Sequence, residues 1–226
     1  MSDDPIGTAP RPAPSGQIPV SPNNPCPFLR ALVANGYVGG HVVPLAQIAE
    51  MVGLASGETG AAQKDVRMKT RFVAAIANGI GPLSVLKSAT SGAVLDELRD
   101  GPLDKHGGGS RILDADARVH EDEIARLAGF GKDCPNPDGG VERGLTAEEI
   151  DTFMKANLKR EGDKARWYYP ILMKGEWPVL LKIIGKGNGS ERYLSVAEVR
   201  TLFVERRLPE RITARLPKPQ PGHTRA

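Results

Sequence analysis

Residues 145–160, LTAEEIDTFMKANLKR, read as a helix that marks its own start. Thr146 can accept from the third helical amide while Glu149 reaches back to the Thr146 amide, a reciprocal capping box. Leu145 and Ile150 flank that box at the positions where an apolar pair fixes the entry of the chain. The same device recurs at residues 194–209, LSVAEVRTLFVERRLP, with Ser195 and Glu198 as the box and Leu194 and Val199 as the apolar pair. Pro209 closes that second segment.

Working outward, periodicity and punctuation predict further helices. VPLAQIAEMVG puts Leu45, Ile48, Met51 and Val52 on one face, between Pro44 and Gly53. KDVRMKTRFVAAIANG places Val66, Phe72, Val73 and Ile76 inward, GAVLDELRDG reads as a short amphipathic helix, and EWPVLLKIIGKG as a buried one. No alternating strand pattern and no repeat stands out, so the expected fold is all-α, a single-domain helical bundle. Residues 1–21 and 215–226, rich in Pro, Gly, Ala and Ser at the front and in Pro at the back, read as flexible tails around a domain at 22–214.

Composition narrows the function. At 226 residues the chain can bury a sizeable core, and with 5% aromatic residues that core is mainly aliphatic. A net charge of +3, with no basic run interleaved with aromatics, gives no support to a nucleic-acid or anionic-membrane partner. The acidic N-terminus MSDDPIGTAP has no apolar core of a signal peptide and no span is long enough to cross a bilayer, so a cytoplasmic protein is expected. Two cysteines, Cys26 and Cys134, make no disulfide framework. Cys134, in GKDCPNPDGG, is expected in a surface loop.

Cys26 stands between Pro25 and Pro27 at the mouth of an apolar stripe, Leu29, Leu32 and Val33, that Asn35-Gly36 brings to an end. A thiol there faces the unpaired amides and positive end of a helix, an environment that favours the thiolate. Such a thiolate suits a nucleophile, a redox centre or a metal ligand. A nucleophile needs a base, and His41, His106, His120 and His223 lie in no recognisable nucleophile motif. Zinc needs further Cys or His at regular spacing, which is missing. A haem iron needs one thiolate. A small buried thiol is the commoner role of an isolated cysteine.

The stretch PCPFLRALVANGY resembles the proximal motif of the haem-thiolate haloperoxidase and unspecific peroxygenase family, where Pro-Cys-Pro opens a helix ending in Asn-x-Gly-Tyr. ILDADARVHEDE stands where that family has Glu-His-Asp or Glu-Gly-Asp followed by serine, and LFVERRLPE is similar to its C-terminal Phe-x-Glu-Glu-Arg-Leu-Pro phrase. The likeness runs in order from about Asn23 to Leu216. It implies a helical fold enclosing haem b, with Cys26 as the axial ligand of the iron. Hydrogen peroxide and a small organic substrate would be the partners. Glu176, ahead of the apolar run 179–184, would be the acid–base group, although a carboxylate there also suits a first helical turn.

The chain departs from the family at Asp114-Ala115-Asp116, where Ala115 replaces the histidine or glycine and Arg118 replaces the serine. In the family the acid and serine help bind magnesium beside a haem propionate. The resemblance therefore implies that Arg118 pairs with the propionate in place of magnesium, oriented by Asp114. A helical binding or scaffold protein that keeps the fold without the chemistry is the alternative. Residues 138–149 begin with Asp and end with Glu at calcium-loop spacing, but Gly140 and Arg143 stand where an oxygen ligand and the turn glycine belong. GKGNGSER resembles a phosphate loop only in its glycine content and reads as a connection.

Overall fold

The computed structural model describes residues 16–79, 82–99, 110–162 and 176–219; most of both expected tails, and His106 and His223, lie outside the described residues. The chain runs α1 (Pro27–Ala34), β1 (Val42–Val43), α2 (Leu45–Ala55), α3 (Gly60–Ile76), α4 (Pro82–Ser91) and β2 (Ala93–Val94). It continues through α5 (Glu121–Phe130), β3 (Lys132–Pro135), β4 (Val141–Thr146), α6 (Ala147–Glu161), α7 (Trp177–Ile184), β5 (Tyr193–Ser195), α8 (Val196–Arg200) and α9 (Glu210–Thr213). A π-helical segment at Thr201–Glu205 extends α8.

The all-α expectation is overturned. Helices dominate, but β1 pairs antiparallel with β2, and β3, β4 and β5 form a three-stranded antiparallel sheet. These strands are two to six residues long, too short to display the alternation by which a strand is read. The GAVLDELRDG stretch, expected to be helical, begins as strand β2 and passes into a 3₁₀ turn at Leu95–Glu97. Gly92 enters it at φ +99°, and a Cβ there would lie 2.5 Å from the Val43 carbonyl oxygen, so glycine lets the two strands close.

The first capped segment folds as read, the second in part, and both carry an addition. Thr146 and Glu149 form the complete capping box, and Leu145 and Ile150 are both buried. Each capped helix is also the direct continuation of a strand, and the two strands pair: Leu145 lies opposite Leu194, and Gly144 opposite Ser195. At the second junction the Ser195 hydroxyl accepts from the Glu198 amide at 3.4 Å, but the Glu198 carboxylate turns to Arg211 instead of closing the box. Pro209 begins α9 rather than ending α8, whose helical run stops at Arg206 in the left-handed conformation.

In α3 the phase differs from the expectation. Val66 and Ala74 face the core while Phe72 (68% exposed), Val73 and Met68 point outward, because the small residues are what the packing against α2 accommodates. Helix α2 runs on through Gly53, expected to end it, to Ala55, and the glycine is where Arg67 of α3 packs closely: a Cβ there would strike that side chain. Cys134 is not on a surface loop; it is 3% exposed in β3, with its thiol 3.6 Å from the Lys132 carbonyl. The ordered chain reaches both ends of the domain. Ile18 donates to the Ala34 carbonyl at 3.0 Å, and Arg215 donates to that of Ala55 at 3.2 Å.

A carboxylate anchors the β4–β5 junction. Glu142 accepts from Lys186 Nζ (2.6 Å), Tyr193 Oη (2.7 Å) and Ser195 Oγ (2.6 Å), and Lys186 also lies 3.6 Å from Glu198. Two of the acids in residues 138–149 are thus engaged by side chains, Glu149 by Thr146 and Lys132 and Glu142 by Lys186. Burial opposes ionisation of Glu142, but its three hydrogen bonds outweigh burial and hold the carboxyl below the usual range. Because the folded value is the lower one, this stabilisation is complete above the ordinary carboxylate range and is lost as pH falls through the folded value. Glu142→Ala should cost about 2 kcal/mol at neutral pH, because Lys186 is left with only the more distant Glu198 and the Ser195 hydroxyl loses its acceptor, and the difference from wild type in urea titrations should shrink on acidification.

Candidate functional site

Helix α1 begins and ends as its residues dictate. Pro27 occupies the first helical position, where a missing N–H costs nothing. At the other end the Gly36 amide reaches the Val33 carbonyl at 3.0 Å and the Tyr37 amide reaches that of Leu32 at 2.9 Å, with Gly36 at φ +74°. Cys26 is the cap residue. Its own amide donates to the Asn24 side-chain oxygen at 3.1 Å, which fixes the turn that delivers the thiol to the helix mouth.

The environment of that thiol differs from the one expected. Cys26 as a residue is half-buried, yet its sulfur lies among enough protein atoms that burial pushes the thiol well up. The amides of Leu29 and Phe28 face the sulfur and favour the thiolate, without either making a full cap hydrogen bond. They lose to burial. Glu176 raises the thiol further and the Arg30 guanidinium opposes it, so the fold brings Glu176 and Cys26 within electrostatic reach of each other.

Glu176 is placed there by aromatic packing. It caps α7, and its neighbour Trp177 is 1% exposed. Trp177 stacks on Phe203 at a centroid distance of 6.3 Å and meets Phe153 edge-on at 5.3 Å, with Phe130 edge-on to Phe153 beyond. Phe203 belongs to the π-helical segment that packs on α1, which connects the two halves of the site. The Trp177 indole nitrogen is buried with no acceptor.

The acidic motif lies in a tight turn, not on a helix. Leu113 bridges to Val119, the Asp114 amide bonds the Arg118 carbonyl at 3.1 Å, and Ala117 takes φ +61°. Asp114 receives the Arg118 main-chain amide at 2.8 Å and His120 Nε2 at 3.1 Å; the Arg118 guanidinium is exposed and makes no hydrogen bond to Asp114. His120 is therefore spent on Asp114, and His41 pairs with Asp96 at 2.5 Å on the surface.

The structure adds residues that the sequence reading passed over: Asn24, Arg30 and Arg99. Arg30 is 4% exposed and donates from Nη1 to the carbonyls of Ser21 (2.9 Å) and Asn24 (3.0 Å). Arg99 donates from Nη2 to the carbonyls of Pro22 (3.2 Å) and Asp114 (2.9 Å), which ties the Cys26 turn to the acidic motif. Only the pattern of an arginine one turn into an apolar helix, at Arg30, hinted at burial in the sequence. Among the described residues no group of three or more His, Cys, Asp or Glu side chains could hold a metal ion, and no helix is long and apolar enough to cross a membrane. No protein-family model, curated protein or solved structure matches the chain.

A haem bound through one thiolate would need a single sulfur at a helix mouth and an acid–base group near it; Cys26 has the first place, and Glu176 lies within electrostatic reach of it, with the buried Arg30 nearby. In the protein without haem, alkylation at Cys26 should follow an apparent pKa above the ordinary thiol value, measured by iodoacetamide labelling and peptide mapping across pH. Glu176→Gln should move that profile to lower pH and Arg30→Gln to higher pH; a profile centred below the ordinary value would contradict the burial described.

Proposed function

We propose that this chain is a haem-thiolate peroxidase or peroxygenase, using hydrogen peroxide to oxidise or oxygenate a small organic substrate. The observation that carries the reading is that the fold brings Glu176, far away in sequence, within electrostatic reach of the Cys26 thiol, beside a buried Arg30 that has no carboxylate partner among the described residues. The resemblance of PCPFLRALVANGY and LFVERRLPE to that family supports the same conclusion.

Cys26 would hold the iron. A thiol that coordinates a metal is deprotonated, so Cys26, neutral by burial in the protein alone, would hold the iron as its thiolate. The Leu29 and Phe28 amides then face a formal negative charge and temper its donation. Haem bound through a thiolate supplies the electron push that favours O–O cleavage. Glu176 takes a proton from one peroxide oxygen and returns it to the other. Its position at the cap of α7, fixed by Trp177, keeps the carboxylate oriented while Leu180, Leu181 and Ile184 keep water from the helix face behind it. Asp114 and His120, bonded to each other in their turn, hold that turn closed.

Reconstitution with haem tests the reading. The ferrous–CO complex should show the red-shifted Soret band of thiolate ligation, and Cys26→Ser should lose the shift. Glu176→Gln should leave the spectrum in place and lower kcat for peroxide-driven oxidation by about 10²–10⁴-fold, the usual worth of a positioned acid–base group. Failure to take up haem, with stability indifferent to Cys26→Ser, would instead favour a binding or scaffold role.

A further inference from the structure

Around the Cys26 turn the fold gathers positive charge and leaves two donors without an acceptor. Asn24 is fully buried; its side-chain oxygen is used by the Cys26 amide, and its Nδ2 has no acceptor. Arg30 is 4% exposed, and among the described residues its guanidinium donates to two backbone carbonyls. Arg99 is half-buried, and its buried Nε also has no acceptor. Arg206 lies within electrostatic reach of Arg30; its backbone sits at φ +52° with its carbonyl bound by Asn35 Nδ2 at 2.7 Å, where the π-helical segment ends against α1.

Among the described residues no carboxylate forms an ion pair with Arg30, Arg99 or Arg206. Burial, then the charges of Arg206 and Arg99, bring Arg30 down to about 10. Carbonyl oxygens satisfy N–H groups but cancel no charge, and a buried cation without a counter-ion is costly to a fold. Guanidinium groups match the paired oxygens of carboxylates and phosphates in bidentate geometry. The orphaned amide of Asn24 and Nε of Arg99 ask for acceptors as well.

We propose that Arg30, Arg99 and Arg206, with the Asn24 amide, form a binding site for a carboxylate or phosphate group of a ligand seated beside the Cys26 turn. Where that group is a haem propionate, the inference rests on the haem-thiolate reading; a free oxyanion would use the same donors without it. The departure of this chain from its resemblance is then explained at the level of charge: the cationic partner for an anionic ligand comes from three arginines on the Cys26 side and not from the exposed Arg118.

Two measurements on the full chain test this. The first is thermal unfolding without haem, in inorganic phosphate against chloride at matched ionic strength. The second is equilibrium binding of haem against haem dimethyl ester, which lacks the two carboxylates. The variants are Arg99→Gln and Arg206→Gly, the latter chosen because glycine accepts the left-handed backbone there and keeps the fold. Phosphate should raise the unfolding temperature of wild type and not of the variants. The ester should bind wild type on the order of tenfold more weakly than haem, as expected for losing a charged hydrogen-bonded contact, and the variants should no longer discriminate. A phosphate effect with equal binding of haem and ester would support the site with a free oxyanion as its ligand. A phosphate effect with no haem uptake would support the site and sink the haem reading alone. Discrimination against the ester without a phosphate effect would support the propionate. Neither effect in wild type, or effects that survive in both variants, would overturn the proposal.

Discussion

The register of β4 against β5 is the constraint on which the rest of the fold hangs. Leu145 and Leu194 lie opposite each other and both are essentially fully buried, so a one-residue slip would turn both leucines out of the core. Each strand runs straight into a capped helix, and the register therefore also fixes where α6 and α8 begin. That in turn places Phe153 on α6 and Phe203 beyond α8, the two rings between which Trp177 is held. Trp177 sets the position of Glu176. A three-residue strand far from the thiol thus decides whether a carboxylate stands near it.

The polar side of the same junction reinforces the register. Glu142 collects Lys186, Tyr193 and Ser195, and Arg211 joins Glu198 to the end of α7 through the Ile184 carbonyl. A carboxylate with three donors at one end of a strand pair specifies alignment in a way that apolar contacts alone do not, because any shift leaves a partly buried charge unmatched.

Local devices were legible in the sequence and long-range ones were not. The Pro27 start and Asn35-Gly36 stop of α1, the Thr146–Glu149 box and the apolar pair beside it need only neighbours in the chain, and each is present as read. The two boxes looked like two helix starts. That they were also the ends of two strands paired with each other was hidden, because a strand of three residues carries no period and its partner lies some fifty residues away. The outward turn of Phe72 and Val73 was equally hidden, since the choice between an aromatic face and an alanine face on α3 is made by the space that α2 leaves. At the site, Cys26 and Glu176 could be named from motifs, whereas Arg30 and Arg99 lie at no motif position and only the fold buries the one and half-buries the other.

The magnitudes explain why burial outweighs the helix mouth at the Cys26 thiol. A helix N-terminus is worth up to about 1 kcal/mol to an adjacent charge at an exposed position, and one pKa unit is about 1.4 kcal/mol. The helix mouth alone can therefore move a thiol by less than a unit, while burial moves it by several. At Cys26 burial wins and the Glu176 carboxylate adds to it. The same burial that favours the neutral sulfur leaves Arg30 without a carboxylate partner among the described residues. A neutral thiol and a buried cation on one turn are opposite halves of a single imbalance, which an anionic group seated beside Arg30 would reduce.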